Sequence, residues 1–580
     1  MPNHLPLLSR HSRQWRPPIP EIYGQTGGLR ASQLAAVERL YRRRVPQDKV
    51  LSPELAKAMC QLSLDIRRPL AALLTRRGQV QEIIVGTDLT LSPATLSKFR
   101  AGSRSLRGLR LIRTQLHDQP LSQESLTDLA YLRLDLFGVL SVTPTGAPGD
   151  LYLAHLLPPN GTGQLCNVLK STPFHQSTLV FDRFIEDLEV EMQRAQATHA
   201  IGHDRESAML VSASSRSRLE QEERLVELTE LASSAGVTVI DRMAQRTPDG
   251  HQRYLLGSGK LKDVLIQTLH KGADMVIFDQ TLTPAQSRAI SEMTDIKVID
   301  RTQLILDIFA RRAHTREGKV QVELAQLRYL LPRLSGKGNE LSRLGGGIGS
   351  RGPGETKLET DRRRIRDRIT HLERELEHFA RHQDQRRARR TRQRLPVLSL
   401  VGYTNAGKST LLNVLTKSHV SAQDRVFETL DTTSRRLRFP RDREVIVTDT
   451  VGFIRDLPQE LLGAFRTTLE ELREADLLIH VVDASAADVE IQISAVEKIL
   501  QDLNLGTLPR TLVFNKCDRL PRQEAELLSR RYGAIGVSAL QPETLEPLLD
   551  HLERELALAV PAEPSQPAAT DASVALASRS

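Results

Sequence analysis

The residues whose types and spacing promise chemistry lie in the last third of the chain. Gly402-Tyr403-Thr404-Asn405-Ala406-Gly407-Lys408-Ser409, backed by Thr410, follows the apolar run 397–401 and leads into Leu411-Leu412-Asn413-Val414-Leu415. Strand, glycine-bearing loop and helix in that order make a phosphate cradle. The strand fixes where the loop starts, the glycines let backbone N–H groups turn inward, and the helix N-terminus adds its partial positive charge. In such a cradle Lys408 reaches the β- and γ-phosphates and the Ser409 hydroxyl sits on Mg²⁺. A chance glycine-rich turn has no reason to carry all three parts in register.

Downstream segments select the base. Asn515-Lys516-Cys517-Asp518 follows the apolar run 511–514, and the Asp518 carboxylate can accept from both N1–H and the exocyclic amine of guanine. Adenine presents an acceptor at N1, so a carboxylate there would face it unpaired, a costly mismatch. Ser538-Ala539-Leu540, after the short strand pattern 534–537, can offer backbone N–H groups to the guanine O6. In this order behind a phosphate loop, the motifs imply GTP.

Asp449-Thr450-Val451-Gly452 closes the strand pattern 445–448, placing Asp449 to hold the Mg²⁺ shell through water and the Gly452 N–H to sense the γ-phosphate. Between the two motifs lies Phe427-Glu428-Thr429-Leu430-Asp431-Thr432-Thr433, in which one threonine should cap the metal. Thr429 is preferred; Thr432 and Thr433 are rivals that spacing alone does not exclude. Both segments have the makings of switches ordered by the γ-phosphate. The expected hydrolytic set is therefore Lys408, Asp449, Gly452 and Asn405. Many GTPases keep a water-orienting glutamine where this chain has Phe453, so hydrolysis is expected to be slow alone and stimulated by a partner. Asn405 has two readings. G-x-x-N-x-G-K-S resembles the loop of potassium-activated GTPases, where the asparagine helps hold K⁺; the alternative is an asparagine that braces the loop.

The chain's 580 residues suffice for about three or four domains. Lys plus Arg number 80 against 71 Asp plus Glu, a net charge of +9, and the pI is near 9.5, which fits an anionic partner. Cys60, Cys166 and Cys517 are too few and too scattered for a disulfide framework or a cysteine zinc site. No apolar run reaches membrane-spanning length and no signal-peptide core opens the chain, so a soluble, cytoplasmic protein is expected; a monomer is expected as well. Aromatic residues make up 4%, which argues against a base-stacking platform.

The expected fold is an α/β multidomain protein. Residues 1–24, rich in Arg and Pro, are expected to be disordered, followed by an N-terminal accessory α/β domain over 25–190 and a polar linker over 191–206. Strand patterns alternating with helices over 207–314 predict a small, mainly parallel sheet. Two apolar seams then step by four and three: Val320, Leu324, Leu327, Leu331 and Leu334, and Ile365, Ile369, Leu372, Leu376 and Phe379. They predict an antiparallel helical hairpin over 315–394 with a Gly-rich tip. Arg351, Arg362, Arg363 and Arg364, with the basic run 385–394, are candidate RNA contacts; a solvated charged face is the competing explanation. The nucleotide-binding domain spans 395–556, and 557–580 is a Pro-, Ala- and Ser-rich tail expected to be disordered.

Two glycine patterns are decoys. Gly347-Ile348-Gly349-Ser350-Arg351-Gly352 satisfies G-x-G-x-x-G but follows a helical pattern, not a strand. Gly257-Ser258-Gly259-Lys260 has Tyr254 at the first glycine position and Leu261 at the metal hydroxyl position, which argues against a second NTP site.

Residues 207–556 resemble the HflX family of ribosome-associated GTPases. The likeness is carried by Leu282-Thr283-Pro284-Ala285-Gln286, Val298-Ile299-Asp300-Arg301-Thr302, the segments 304–310 and 317–327, the Gly-rich 345–356, Leu358-Glu359-Thr360-Asp361-Arg362-Arg363 and 449–455. Ala289 departs from it, standing where the family usually has asparagine. The resemblance implies a GTP-dependent factor on the large (50S) ribosomal subunit and its RNA, linked to splitting or rescue of stalled ribosomes, and it implies Mg²⁺ at Ser409 and Thr429. Residues 107–116 and 121–126 are similar to an N-terminal extension of some HflX homologues. They also resemble the zinc pattern of JAMM-type peptidases with Arg113, Gln115 and Ser125 at ligand positions, none of which suits zinc. An accessory binding module is expected there. The competing function is a GTP-gated protein-interaction switch with no ribosomal partner.

Overall fold

The computed structural model describes residues 22–86, 99, 106–158, 164–200, 205–248, 253–334, 357–393, 395–416, 433–439, 444–450, 452–455 and 471–559. Contacts divide the chain into two units: residues 1–221 with 238–278 and 285–299, and residues 222–237 with 279–284 and 300–580.

The first unit opens with β1 (Ile22–Gly24), α1 (Ala31–Leu40), α2 (Pro53–Ile66), β2 (Leu70–Thr75), β3 (Val80–Val85) and β4 (Leu109–Gln115). It continues with α3 (Gln123–Leu132), β5 (Leu136–Val142), β6 (Pro148–Leu156), β7 (Cys166–Val168), β8 (Thr172–Pro173) and α4 (Phe181–Ala200). The strands form one mixed sheet in the order β1-β3-β2-β4-β5-β6-β7, with β8 beside β6. β2 and β5 are buried along their whole length, as their nearly unbroken apolar sequences require. α2 starts where it does because the Ser52 side chain accepts from the Leu55 N–H and Pro53 occupies the first turn.

Three boundaries differ from expectation, one of them at the last helix, Glu546–Ala559, which extends three residues into the tail expected to be disordered from 557. Ile22–Gly24, assigned by composition to a disordered end, pairs in parallel with Ile83–Val85 and so belongs to the sheet. α4 runs through the boundary drawn at 190 to Ala200, into the segment read as linker. Its reason is a seam at helical spacing: Phe181, Ile185, Leu188 and Met192 are all at most 5% exposed.

The same unit contains a second sheet of β9 (Ser207–Ser214), β10 (Thr238–Arg246), β11 (Met275–Phe278) and β12 (Lys297–Asp300), in the order β10-β9-β11-β12. β9 pairs in parallel with both neighbours. α5 (Arg218–Ser234), α6 (Ser258–His270) and α7 (Pro284–Met293) alternate with its strands in sequence. Within this unit the Arg107 guanidinium meets Asp295 at 2.9 Å, and the Tyr131 hydroxyl donates to the Met293 carbonyl.

In the second unit, α8 (Arg301–Arg312) is capped by Asp300, whose Oδ1 accepts from the Gln303 N–H at 2.9 Å. α9 (Arg316–Leu330) and α10 (Lys357–Gln393) form the hairpin. Arg316 pairs with Glu375, and seven residues on Glu323 pairs with Arg368, seven residues earlier; that crossing order is antiparallel. Val320, Leu324 and Leu372 make its buried seam, with Leu327, Ile369, Leu376 and Phe379 packed against them. The tip, including Arg351, lies outside the described residues.

The rest of the unit is a six-stranded sheet ordered β14-β15-β13-β16-β17-β18. Its elements are β13 (Val397–Gly402), α11 (Lys408–Thr416), β14 (Thr433–Arg438), β15 (Glu444–Asp449), β16 (Leu477–Asp483), α12 (Val489–Asp502), β17 (Arg510–Asn515), α13 (Arg522–Tyr532), β18 (Ile535–Gly536) and α14 (Glu546–Ala559). β14 pairs antiparallel with β15, and the other four pairings of this sheet are parallel. Among the described residues no helix is long and apolar enough to cross a membrane, and Cys60, Cys166 and Cys517 are free thiols.

Leu372 is fully buried in the hairpin seam, so Leu372→Ala should cost about 2–5 kcal/mol locally. Amide exchange along 365–379 should accelerate strongly while β13 and β16 stay protected; unchanged exchange in the hairpin would contradict the seam.

Candidate functional site

The first sheet-to-helix turn of the six-stranded sheet is made by β13, the central strand flanked in parallel by β15 and β16, and by α11, whose first residue is Lys408. The chain leaves β13 at Gly402 with φ +153°, where a Cβ would run into the Val481 carbonyl of β16. It enters the helix at Gly407 with φ +86°, where a Cβ would collide with the Asn515 amide. Both glycines are therefore required by close approach and by backbone conformation. Between them Asn405 adopts φ +63°, a left-handed geometry that asparagine tolerates better than most residues.

The loop's carbonyls find side-chain donors. Lys408 Nζ donates to the Gly402 and Tyr403 carbonyls at 3.2 and 3.0 Å, Lys516 Nζ to that of Asn405 at 2.8 Å, and Asn515 Nδ2 to that of Ala406 at 2.9 Å. Asn515 Oδ1 accepts from the Ala539 N–H at 3.0 Å, so one side chain joins the phosphate loop to Ser538-Ala539-Leu540. Lys516 also pairs with Asp483 at 2.8 Å. Burial drives the Lys408 ammonium down to about 8, against the opposing pull of Asp449. An arriving phosphate would supply an anionic partner that further favours the charged form.

At the strand end of β15, Ser409 Oγ donates to Asp449 Oδ2 at 2.7 Å, and Thr450 Oγ1 to the Leu400 carbonyl at 2.7 Å. A hydroxyl and a carboxylate held this close form an all-oxygen donor set suited to a hard cation such as Mg²⁺. Gly452 sits where a Cβ would fall 2.9 Å from Thr404 Cγ2 and 3.1 Å from Lys408 Nζ, leaving its backbone against the loop. Phe453 is stitched to the loop by both backbone groups: its N–H donates to the Gly402 carbonyl at 3.0 Å, and its carbonyl accepts from the Thr404 N–H at 2.8 Å. Its ring is 1% exposed.

At the other end, Asp518 is exposed and its Oδ1 accepts from Ser538 Oγ at 2.5 Å, while the Leu540 N–H donates to the same hydroxyl at 3.2 Å. Burial pushes the Cys517 thiol up, which fits a small packing residue and not a nucleophile.

The structure thus brings together Gly402 to Thr410, Asp449, Thr450, Gly452, Asn515 to Asp518 and Ser538 to Leu540. Phe427, Glu428, Thr429, Leu430, Asp431 and Val451 lie outside the described residues. Arg363 and Arg364 are exposed on α10, and Arg362 is half-buried. In the first domain Arg113 Nη2 lies 3.5 Å from Ser125 Oγ, while Gln115 reaches Gln119 instead. Burial lowers the Arg113 guanidinium from its usual range, against the opposing pull of the Glu124 and Asp128 carboxylates. Among the described residues no cluster of His, Cys, Asp and Glu could hold a metal ion. Sequence reasoning passed over Asp483 and Thr544, which brace Lys516 and Ser538. Only Asp483 carried a signal, as the acidic end of an apolar strand.

A parallel sheet with this loop and this ring of braces defines a P-loop GTPase. Models described as "50S ribosome-binding GTPase", "GTP-binding GTPase N-terminal" and "GTP-binding GTPase Middle Region" match residues 397–516, 222–310 and 312–390. The "GTPase HflX" of Caldanaerobacter subterraneus subsp. tengcongensis is 48% identical over 357 residues, 61% of this chain and 82% of that protein. That of Escherichia coli is 44% identical over 342 residues, 58% of this chain and 80% of the relative. A solved GTP-binding protein from Sulfolobus solfataricus, in complex with GDP, matches at 23% identity and a TM-score of 0.34, covering 61% of this chain and 99% of that one. The chain belongs to the HflX family of GTPases.

His480, on β16 and 2% exposed, has its imidazole held down at about 4 by burial, with the Arg510 and Lys408 charges adding to it. The unfolded chain binds this proton more readily, so stability is present above pH 6.5 and is lost as pH falls toward 4. From pH 7 to pH 5 the stability gap between wild type and His480→Gln should narrow by about 2 kcal/mol in denaturation experiments. A gap independent of pH would contradict a buried neutral His480.

Proposed function

We propose that this GTPase is a GTP-gated factor of the large (50S) ribosomal subunit, acting in translation through splitting or rescue of stalled ribosomes, or in subunit assembly. The observation that carries the reading is the joining of a nucleotide cradle to a basic hairpin, in a chain whose 397–516 segment matches the family described as 50S ribosome-binding. In this reading Gly402 to Thr410 hold the phosphates, Asp518 with Ser538 to Leu540 takes the guanine, and residues 427–431 contribute to nucleotide binding. Ser409 and Thr429, with Asp449 behind them, would hold Mg²⁺, which would supply charge neutralisation to the phosphates. The buried, backbone-pinned Phe453 cannot turn toward an attacking water, which supports slow hydrolysis alone and stimulation by a partner. The first domain is proposed to be an accessory binding module.

One observation favours the alternative, a protein-interaction switch. Arg316, Arg328 and Arg368 are already paired with Glu375, Glu373 and Glu323 in the hairpin, as expected of a solvated face. Co-sedimentation with large subunits over a salt series separates the readings. Binding that is stronger with a GTP analogue than with GDP and weakens steeply with salt is the expected result. No nucleotide-dependent binding at physiological salt would overturn it.

K⁺ is proposed as a second cation beside the phosphates, with Asn405 as a ligand. The left-handed backbone of Asn405 is what the loop-bracing alternative needs. Faster hydrolysis in K⁺ than in Na⁺ is expected, and equal rates would leave Asn405 as a brace alone.

A further inference from the structure

Tyr403 stands in the phosphate loop, yet its hydroxyl is engaged elsewhere. It donates to Glu227 Oε1 at 2.6 Å and accepts from the Arg455 backbone N–H at 2.9 Å. The side chain is buried, and burial together with the Glu227 carboxylate keeps the phenol protonated, so it can serve both roles at once. Arg455 is the third residue after Gly452. Its guanidinium pairs with Asp488 and lies 3.9 Å from both Glu223 and Glu227.

Glu227 is held in turn. Arg301 Nη2 donates to Glu227 Oε1 at 2.6 Å and Nη1 to Asp279 Oδ1 at 3.0 Å, while Asp279 Oδ2 accepts from Arg224 Nε at 2.7 Å. Arg301 Nη2 also reaches the Arg455 carbonyl at 3.4 Å. Arg224 and Glu227 are three residues apart on α5, so one helix face carries both ends of the chain of contacts.

Such a network is a poor device for stability alone. Desolvating ion pairs costs about as much as their attraction returns, and apolar residues of equal size would serve as well. What it does fix is position. The segment 452–455 is tied to the loop at two places, by the Phe453 backbone and by the Tyr403 hydroxyl. Arg455 Nε and Glu227 Oε2, both buried, face each other at 3.9 Å, and a shift of about 1 Å would bring them into hydrogen-bond range.

We propose that Tyr403, Glu227 and Arg455 are positioning residues for GTP hydrolysis: they hold segment 452–455 where the Gly452 N–H meets the γ-phosphate. This rests on the γ-phosphate reading of Gly452 and is independent of any ribosomal partner. GDP has no γ-phosphate, so it gains nothing from the arrangement. The clamp sets discrimination between the two nucleotides.

The test uses the full chain with GDP and a non-hydrolysable GTP analogue, titrated by calorimetry. Tyr403→Phe, which removes one hydroxyl, should weaken the analogue about fivefold, leave GDP within about twofold, and lower kcat for GTP. Glu227→Gln keeps an acceptor for Tyr403 but drops the charge facing Arg301 and Arg455, and should weaken the analogue selectively by a smaller factor. Equal weakening of both nucleotides marks mere packing and overturns the proposal, as does no change in either. Gly452→Ala separates the two claims. If it leaves discrimination intact, the Gly452 reading fails; if it alone abolishes discrimination, the clamp fails and Gly452 stands.

Discussion

The nucleotide half of this protein depends on a backbone that must leave β13, reverse, and enter α11 within a few residues. That path forces φ +153° at Gly402, +63° at Asn405 and +86° at Gly407. Buried carbonyls without partners would each cost about 1–3 kcal/mol. The chain meets the requirement with Lys408, Lys516 and Asn515, whose donors reach the carbonyls of residues 402, 403, 405 and 406. The residues that recognise nucleotide in the proposed function are therefore also the ones that hold the loop in shape. Substituting one of them perturbs both jobs together.

The same economy explains the segment after β15. Phe453 occupies the water-orienting position of other GTPases, yet its contribution here is two backbone hydrogen bonds to the loop. Gly452 beside it has no room for a side chain. In the proposed function, sensing of the γ-phosphate is built from main chain, and the fine placement of that main chain falls to side chains farther off. Tyr403 links the loop to Glu227, in the region that the family's N-terminal model matches. A bond spanning 176 residues of sequence lets a change at one end alter the cost of a change at the other, and such coupling is reciprocal.

Much of the site was legible because backbone constraints write themselves into residue types. Glycines at 402, 407 and 452, the Asn515–Asp518 block and the carboxylate at 449 could each be placed from spacing alone. The hairpin was legible too, since Val320, Leu324, Ile369 and Leu372 repeat at helical intervals. Elements lacking such periodicity were not. Ile22–Gly24 gains its order from pairing with β3, which no local pattern announces. Over residues 434–438 of β14, Leu437 is buried among exposed arginines and Ser434, so nothing marks it as a strand before its antiparallel partner is known. Glu227 was equally invisible. A glutamate on a charged helix carries no signal until Tyr403, Arg301 and Arg455 converge on it.

The cradle is built by the chain's own hydrogen bonds and is therefore expected to stand before nucleotide arrives. The backbone amides of Thr404 and Phe453 report on it most directly, because each donates to the other segment's carbonyl or loop. In nucleotide-free protein with Mg²⁺, hydrogen exchange at these two amides should be as slow as in β13 and should change little when GDP is added. Exchange at the rate of an open loop, slowing only once GDP binds, would show that the nucleotide assembles the cradle and would contradict the account.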